Sequence, residues 1–400
     1  MIERLAPFFE HVALAPPGWP VAALPAAGRL GHGWGRGPAG ATRRALGEMV
    51  ELASLCAWGD EHPRPRPPAE GAVWDVPALL GFAPWQLAAR AGWNEVLGGL
   101  DHLPDWGGDR AGGHLPDGGP DRLPDRWRGA GGWIAAERLL PGAAPPEGAR
   151  VWVPAGLALL GHGRLPADSN GGAAGPTPAA ARLAAVLELV ERDATARWWY
   201  GGAPARREAP APGSWAAELA GWLARRGRVL HLLDITSDLG VPVRAALIAD
   251  RDGRRVSAGF AAAMAPAGAR RRALGEALQM ELRVAAGTAD PRWLAEADLS
   301  CHPAPAAPPA DPAHPADPGA AGRAAPAALA ALAAILARAG CRVALVDRSR
   351  AEFGVPVVRA LSPDLCHWKP RLGRARLGRA SRLRALFAPG GGRCRPLLRG

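Results

Sequence analysis

The stretch DSNGGAAGPTPAAARLAAVLELVERDATARWWY, Asp168 to Tyr200, decides how the rest of the chain is read. It opens as a glycine-rich turn and continues as a long helical pattern. Thr177 is placed to cap that helix, and Pro178 to fill its first position, where a missing N–H costs nothing. At about 100° per residue, Leu183, Val186, Leu187, Val190 and Ala194 fall on one face. Glu188, Glu191, Arg192 and Thr195 fall on the opposite one. Taken alone, the charged side reads as a solvated face, because like charges three residues apart cost only about a few tenths of a kcal/mol.

The pattern recurs. In ATRRALGEMVELASLCA (41–57), Leu46, Met49, Val50 and Ala53 make an apolar stripe, with Glu48 and Glu51 together on the other side. In ARRRALGEALQMELR (269–283), Leu274, Leu278 and Leu282 turn inward while Arg272, Glu276, Gln279 and Arg283 share the opposite face; Glu281 points elsewhere. Three helices that each offer a carboxylate cluster suggest one shared site. Converging carboxylates need a cation, and Mg2+ takes oxygen ligands and bridges them to phosphates. Arginines on the same faces would contact those phosphates directly. No Gly-x-x-x-x-Gly-Lys-[Ser/Thr] occurs, so a P-loop is excluded. The glycines of SNGGAAG suit a backbone pressed against a nucleotide and equally a tight strand-to-helix turn.

Around these helices the chain reads as a mixed α/β (α+β) fold. ARVWVPAGLALLG (149–161) reads as a strand. VLHLLDITSDLGVPVRAALIAD (229–250) parallels VALVDRSRAEFGVPVVRALSPD (343–364): an apolar strand ending in Asp234 or Asp347, a short loop, then Gly-Val-Pro-Val and a second strand. Residues 101–132, with HLPD twice and RLPD once among glycines, read as a polar insertion, and the Pro/Ala-rich 302–326 as a linker ahead of an Ala/Leu helix at 327–339.

The formal charge of +11 invites a nucleic-acid reading. The excess is local: ten basic and no acidic residues lie in 366–400, and the remainder is close to neutral, which argues against a nucleic-acid partner. Five cysteines without a C-x-x-C pair fit a reducing compartment, and no zinc-type spacing surrounds them. No signal-peptide core and no apolar run of about 18 residues is present, so the expected location is cytoplasmic, away from membranes.

At this point the residues become familiar. The 168–199 segment resembles the signature of the YcaO family, in which a Ser-Asn-Gly-x-Ala-x-Gly turn precedes a helix bearing Glu-x-x-Glu-Arg. GWGRGPAGATRRALGEMVELAS resembles the upstream Gly-[Lys/Arg]-Gly segment with its Glu-x-x-Glu. LLDITSDLGVPV, ALGEALQMEL and FGVPVVRALSPDL resemble three further family segments, in the family's order. The resemblance covers roughly 30–365, with 101–132 and 302–326 as insertions. It divides the chain into a lead-in (1–30), a YcaO-like ATP-binding catalytic domain (31–365) and a basic, disordered tail (366–400).

The resemblance implies a fold of mixed sheets packed with long helices, and an enzyme that uses ATP and Mg2+ to activate a peptide-backbone amide. In azoline-forming members a Cys, Ser or Thr side chain attacks the preceding carbonyl, the resulting oxygen is phosphorylated, and loss of phosphate leaves the ring. Other members make thioamides or amidines. By matching motifs, Glu48, Glu51, Glu188, Glu191 and Glu276 would serve magnesium and its waters, Arg36 and Arg192 the phosphates, and Ser169, Asn170 and Gln279 the nucleotide pocket. A turn role for Ser169 and Asn170, and a surface role for Gln279 and Arg36, stay open beside this. The resemblance assigns no catalytic residue. The expected substrate is a precursor peptide, and with only about 30 residues ahead of the first motif, leader recognition would fall to a separate, ThiF-like protein; a homodimer is compatible. The ending departs from the family's Pro-x-Pro-x-Pro tail: RLGRARLGRASRLRALFAPGGGRC and GGRCRPLLRG stand there instead. A non-catalytic relative that binds a partner or nucleic acid through this tail is the competing reading.

Overall fold

The computed structural model describes residues 2–6, 9–14, 31–35, 38–67, 71–88, 131–142, 149–162, 165–285, 287 and 321–378. Three sheets and a set of long helices make the mixed α/β fold that the pattern predicts. The first sheet is antiparallel, in the order β1 (Ile2–Ala6), β2 (Phe9–Leu14), β3 (Gly31–Gly35). The lead-in is thus joined to the body, because β2 pairs with β3 from Glu10 opposite Gly35 to Leu14 opposite Gly31. Helix α1 (Pro38–Leu55) follows, and then β4 (Ala72–Val73) and two single-turn helices, α2 (Val76–Leu80) and α3 (Pro84–Ala88).

The second sheet has the order β4-β6-β5-β12-β13-β7. Its strands are β5 (Trp133–Arg138), β6 (Arg150–Pro154), β7 (Gly172–Ala174), β12 (Ala344–Asp347) and β13 (Val357–Leu361), with β4 at one edge. The 149–161 run is only partly a strand: after Pro154 the chain makes one helical turn, α4 (Ala155–Ala158), before Leu160 bridges to Cys56. An apolar run without alternation does not separate a buried strand from a buried turn of helix. The third sheet, β11-β10-β9-β8, comprises β8 (Arg206–Glu208), β9 (Arg228–Asp234), β10 (Val243–Asp250) and β11 (Ser257–Ala262).

Helix α5 (Pro178–Trp199) lies between the two larger sheets, touching β7 and β13 of one and β10 and β11 of the other. It is buried nearly all round, including Glu191, Asp193 and Thr195, so the side read as solvated instead faces other protein groups. Each fully buried Leu or Val side chain contributes about 1.5–3 kcal/mol, and Val186, Val190, Val243 and Leu332 belong to one cluster that joins the layers. Helix α6 (Trp215–Ala224) packs on β9, and α7 (Pro266–Ala285) on β10 and β11. Helix α8 (Ala321–Arg338) packs on α5 and begins six residues ahead of the predicted 327, with Pro326 inside it. The linker reading of 302–326 therefore ends at 320; residues 302–320 and 101–130 lie outside the described residues.

The two similar segments are two copies of one hairpin. In the first, Asp234 Oδ1 accepts from Thr236 N (2.9 Å), and Thr236 Oγ1 accepts from Val243 N (3.1 Å). In the second, Asp347 Oδ1 accepts from Ser349 N (2.8 Å), and Ser349 Oγ accepts from Val357 N (3.1 Å). The aspartate that ends each first strand caps the turn, and a hydroxyl two residues on anchors the start of the return strand.

The tail reading needs correction over 366–378. This segment is packed, with Cys366, His367, Arg371, Leu372, Arg374 and Leu377 buried, and ends in a 3-10 turn at Ala375–Leu377. Its basic residues find internal partners, and for that reason they do not read as a free cationic arm. Residues 379–400 lie outside the described residues.

Candidate active site

Helix α5 is started as its sequence predicts: Thr177 Oγ1 accepts from Ala180 N at 3.2 Å and Pro178 occupies the first turn. That phase brings Glu188, Glu191 and Arg192 onto one side. Arg192 Nη2 lies 3.1 Å from Glu188 Oε1, and its Nη1 2.9 Å from Glu191 Oε1. Helix α7 delivers Glu276, whose Oε2 accepts from Phe260 N of β11 at 2.8 Å. Gly259 permits this approach: a Cβ there would stand 2.2 Å from Ala273 O and 2.7 Å from Glu276 Cβ. Two residues along the same strand, the Ala262 amide is close enough to favour the charged form of Glu191. From the other side, α1 presents Glu51, whose Oε2 accepts from Ala174 N at 3.2 Å. Glu48, one turn earlier and half-buried, is close enough to raise the pKa of Glu51.

The five predicted glutamates are therefore brought to one region, and burial disfavours the charged form of four of them, Glu51, Glu188, Glu191 and Glu276. Burial pushes Glu51 well up, and Glu188 and Glu48 push it further. Burial also raises Glu188, against the pull of Arg192. Glu191 is raised well above its ordinary value by burial, Glu276 and Glu188, and Glu276 is raised by burial. Burial opposes the Arg192 charge, yet Glu191, Glu188 and Glu276 outweigh it and the guanidinium is held more firmly protonated.

The donor chemistry fits a magnesium–nucleotide complex. Five carboxylates face few cations, chiefly Arg192 and Arg359, so added positive charge would relieve them. Among the described residues no three such groups are gathered into one ion's ligand set, since Arg192 stands between Glu188 and Glu191. Magnesium is usually held by one or two carboxylates plus phosphate oxygens rather than by an all-protein cage. Glu48, Glu51, Glu188, Glu191 and Glu276 are the residues that would hold it, directly or through water.

The remaining predicted residues divide. Asn170 N donates to Asp168 Oδ1 (3.1 Å) and Ser169 O accepts from Gly172 N (2.8 Å), so both shape the turn. The glycines there answer to protein contacts: at Gly171 (φ +80°) a Cβ would meet Ala360 O at 2.3 Å. Asn170 Oδ1 is nevertheless buried without a partner, in the wall of a cavity. Gln279 is half-buried on α7, three positions after Glu276. Arg36 lies outside the described residues.

Sequence reasoning missed five residues here. Asp168 gathers His367 Nε2 (3.0 Å), Lys369 Nζ (3.3 Å), Arg371 Nη2 (3.7 Å) and Arg359 Nη2 (3.8 Å). Burial opposes its charge, but His367, Lys369 and Arg371 hold its carboxyl well below the usual range. Asp168 stood at the edge of the quoted signature, and Arg359 inside the late Gly-Val-Pro-Val strand. His367 and Arg371 were assigned to the tail, and no local pattern marks them.

The sequence profile of the YcaO family, described as YcaO cyclodehydratase, ATP- and Mg2+-binding, matches residues 134–366, more than half of the chain. No curated protein matches in sequence. Among solved structures, a heterocyclase in complex with substrate and cofactor is 24% identical with a TM-score of 0.72, over 94% of this chain and 51% of that one. The heterocyclase TruD is 24% identical with a TM-score of 0.62, over 84% and 47%. YcaO from Methanopyrus kandleri, bound with AMPPCP and Mg2+, is 21% identical with a TM-score of 0.59, over 91% and 85%. The chain thus spans about half the length of the two heterocyclases. With its profile match, its shared fold and its carboxylate helices in the family's order, the chain belongs to the YcaO family, whose domain binds ATP and Mg2+.

Proposed function

We propose that the protein activates a backbone amide of a ribosomally made peptide at the expense of ATP, giving thiazoline or oxazoline rings. One observation carries this reading: three helices bring Glu48, Glu51, Glu188, Glu191 and Glu276 around Arg192 in a buried site whose carboxylates outnumber the cations that face them. An amide oxygen is a poor leaving group, and the bound nucleotide supplies the phosphoryl group that makes it a good one. The chain's part is positioning and charge neutralisation, which phosphoryl transfer chiefly demands. Glu188 and Glu191 orient Arg192 from two sides, leaving its plane fixed over Trp368 with 5.1 Å to the ring centroid. Ser169, Asn170 and Gln279 would border the nucleotide.

Thioamide or amidine formation is the second reading, and the packed 366–378 segment favours keeping it. The segment fills the neighbourhood of Asp168 with His367, Lys369 and Arg371. A separate leader-binding, ThiF-like protein would present the peptide. No helix among the described residues is long and apolar enough to cross a membrane. The test is incubation with ATP, Mg2+ and a Cys-, Ser- and Thr-rich peptide encoded beside the gene. Loss of one water per ring, matched to phosphate release, is expected; phosphate release with an unchanged peptide sinks ring formation.

A further inference from the structure

Buried arginine side chains crowd the wall beside Asp168. Arg359, Arg371 and Arg374 are 4%, 4% and 7% exposed, and they line one cavity with Asp168, Asn170 and His367. His367 adds no charge. Its Nδ1 accepts from Lys369 N at 3.0 Å, leaving the proton on Nε2 toward Asp168, and burial together with Arg371 lowers its pKa to about 4. Asp168 is the one carboxylate in the cavity wall, while Glu188 and Glu51 act on Arg359, and Asp364 and Asp193 on Arg374, from outside it.

The partners of the three arginines are uneven. Arg371 donates to Pro166 O at 3.0 Å and lies 3.7 Å from Asp168. Arg374 donates to the carbonyls of Ala78, Leu79, Ser362 and Pro363, none of which carries charge. Arg359 reaches Leu157 O at 3.4 Å, while its Nε and Nη1 are buried with no partner. Buried N–H donors are ordinarily paired, and two of those of Arg359 are not. The arrangement suits an anion with several acceptor oxygens. Phosphate at neutral pH is such an anion, and planar guanidinium donors match its oxygens.

We infer that this cavity is a binding site for inorganic phosphate, distinct from the glutamate cluster but bordering it through Arg359. Glu188 and Glu51 are both close enough to act on the Arg359 charge, so one side chain faces the carboxylates and the cavity. Resting on the proposed reaction, in which phosphate is the group shed, the cavity is where that product is received.

The test uses the full chain in EDTA without nucleotide, melted against sodium phosphate, with sodium chloride at matched ionic strength and sodium acetate in parallel. A saturable rise in melting temperature with phosphate alone is expected. Arg359→Gln and Arg371→Gln should each weaken the apparent affinity about tenfold or more, while Glu191→Gln leaves it unchanged. If Arg359→Gln does not melt cooperatively, Arg359→Lys, which keeps the charge but not the fork of donors, should still show weakened binding. Equal phosphate response in wild type and the Arg359 variants, no saturable response, or acetate as effective as phosphate overturns the assignment. Neither peptide nor ATP is present, so a peptide left unmodified in the earlier assay counts against the reaction and not the cavity. A cyclised peptide with no phosphate binding counts against the cavity alone.

Discussion

Glu51 and Ala174 stand 123 residues apart, and the Glu51 carboxylate accepts a hydrogen bond from the Ala174 amide at 3.2 Å. This bond ties α1 to the edge strand β7 and favours a charged Glu51, as Arg359 does; burial, Glu188 and Glu48 disfavour it. Its carboxyl is therefore held above the ordinary 4.5, and the native state binds a proton that the unfolded chain has released. The sign follows: this stability is complete below about pH 4.5 and is lost as pH rises through the folded pKa. His367 acts oppositely, losing stability as pH falls from 6.5 toward about 4, so the clean measurement is a difference. Glu51→Gln should match wild type in acid and become more stable than the ligand-free wild type as pH rises, by about 1.4 kcal/mol per unit of displacement. Urea midpoints across pH 5–9 check this; parallel curves for the two proteins would contradict it.

Glu191→Gln keeps the shape of the side chain and removes the charge beside Arg192. Because burial and its neighbours already disfavour ionisation of Glu191, the variant should melt no lower than wild type. Its Mg2+-dependent ATP turnover should fall by about 100-fold or more, since even groups outside a metal's own ligands cost about 10–100-fold. Retained turnover with a lost melting transition would make Glu191 structural.

Ligand binding should be coupled to the metal. At about one hundred times its dissociation constant a ligand stabilises the fold by roughly 2.7 kcal/mol. Mg2+ with ATP should reach a shift of that order, whereas ATP with EDTA adds phosphate charge beside unneutralised carboxylates and should give far less. Equal shifts in the two conditions would remove the shared-cation reading of the five glutamates.

Local periodicity made the acidic helices legible. Glu188, Glu191 and Arg192 share a face because they lie three and four residues apart, and Thr177 and Pro178 announce the helix start. What lay beyond reach was which faces meet. The bond from Gln86 to Pro370 O and the Arg359–Asp168 approach span hundreds of residues of chain, and neither leaves a spacing to read. The charged side of α5 looked solvated for the same reason, since its cover comes from β11, α7 and the segment after β13. Glu281 shows the opposite case: it was set apart from the cluster by phase alone, and it does pair elsewhere, with Arg228.

That pair offers a control on stability without a change in chemistry. Arg228 donates to both Glu281 oxygens at 2.8 and 2.7 Å and to Asp250 at 2.7 Å, and Ser257 Oγ lies 2.6 Å from Glu281. Arg228→Met strands a buried carboxylate and should cost about 3–5 kcal/mol. Arg228→Met with Glu281→Leu should recover much of it, because the loss reflects the stranded charge rather than the worth of the pair. Folded material of either variant should retain metal-dependent ATP binding, as measured by calorimetry.

Asp193, fully buried on α5, receives Arg376 Nε at 2.9 Å and Nη2 at 2.7 Å, and also the Cys366 amide at 2.9 Å. Removing residues 366–400 would strand that carboxylate and uncover Leu365, Leu372 and Leu377's neighbours in the main core. A chain stopped at 365 should therefore lose cooperative melting, while one stopped at Gly378 should melt as the full chain does. The same reasoning bears on nucleic acid. Lys369, Arg371, Arg374 and Arg376 are engaged with Asp168, Asp193, Asp238 and backbone carbonyls, so four of the ten basic residues in 366–400 are already occupied. Filter binding of the full chain and the chain ending at Gly378 should show equally weak retention of RNA and DNA. Tight binding by the full chain alone, falling steeply as salt releases the advantage of counterion displacement, would establish residues 379–400 as a nucleic-acid arm and reverse that expectation.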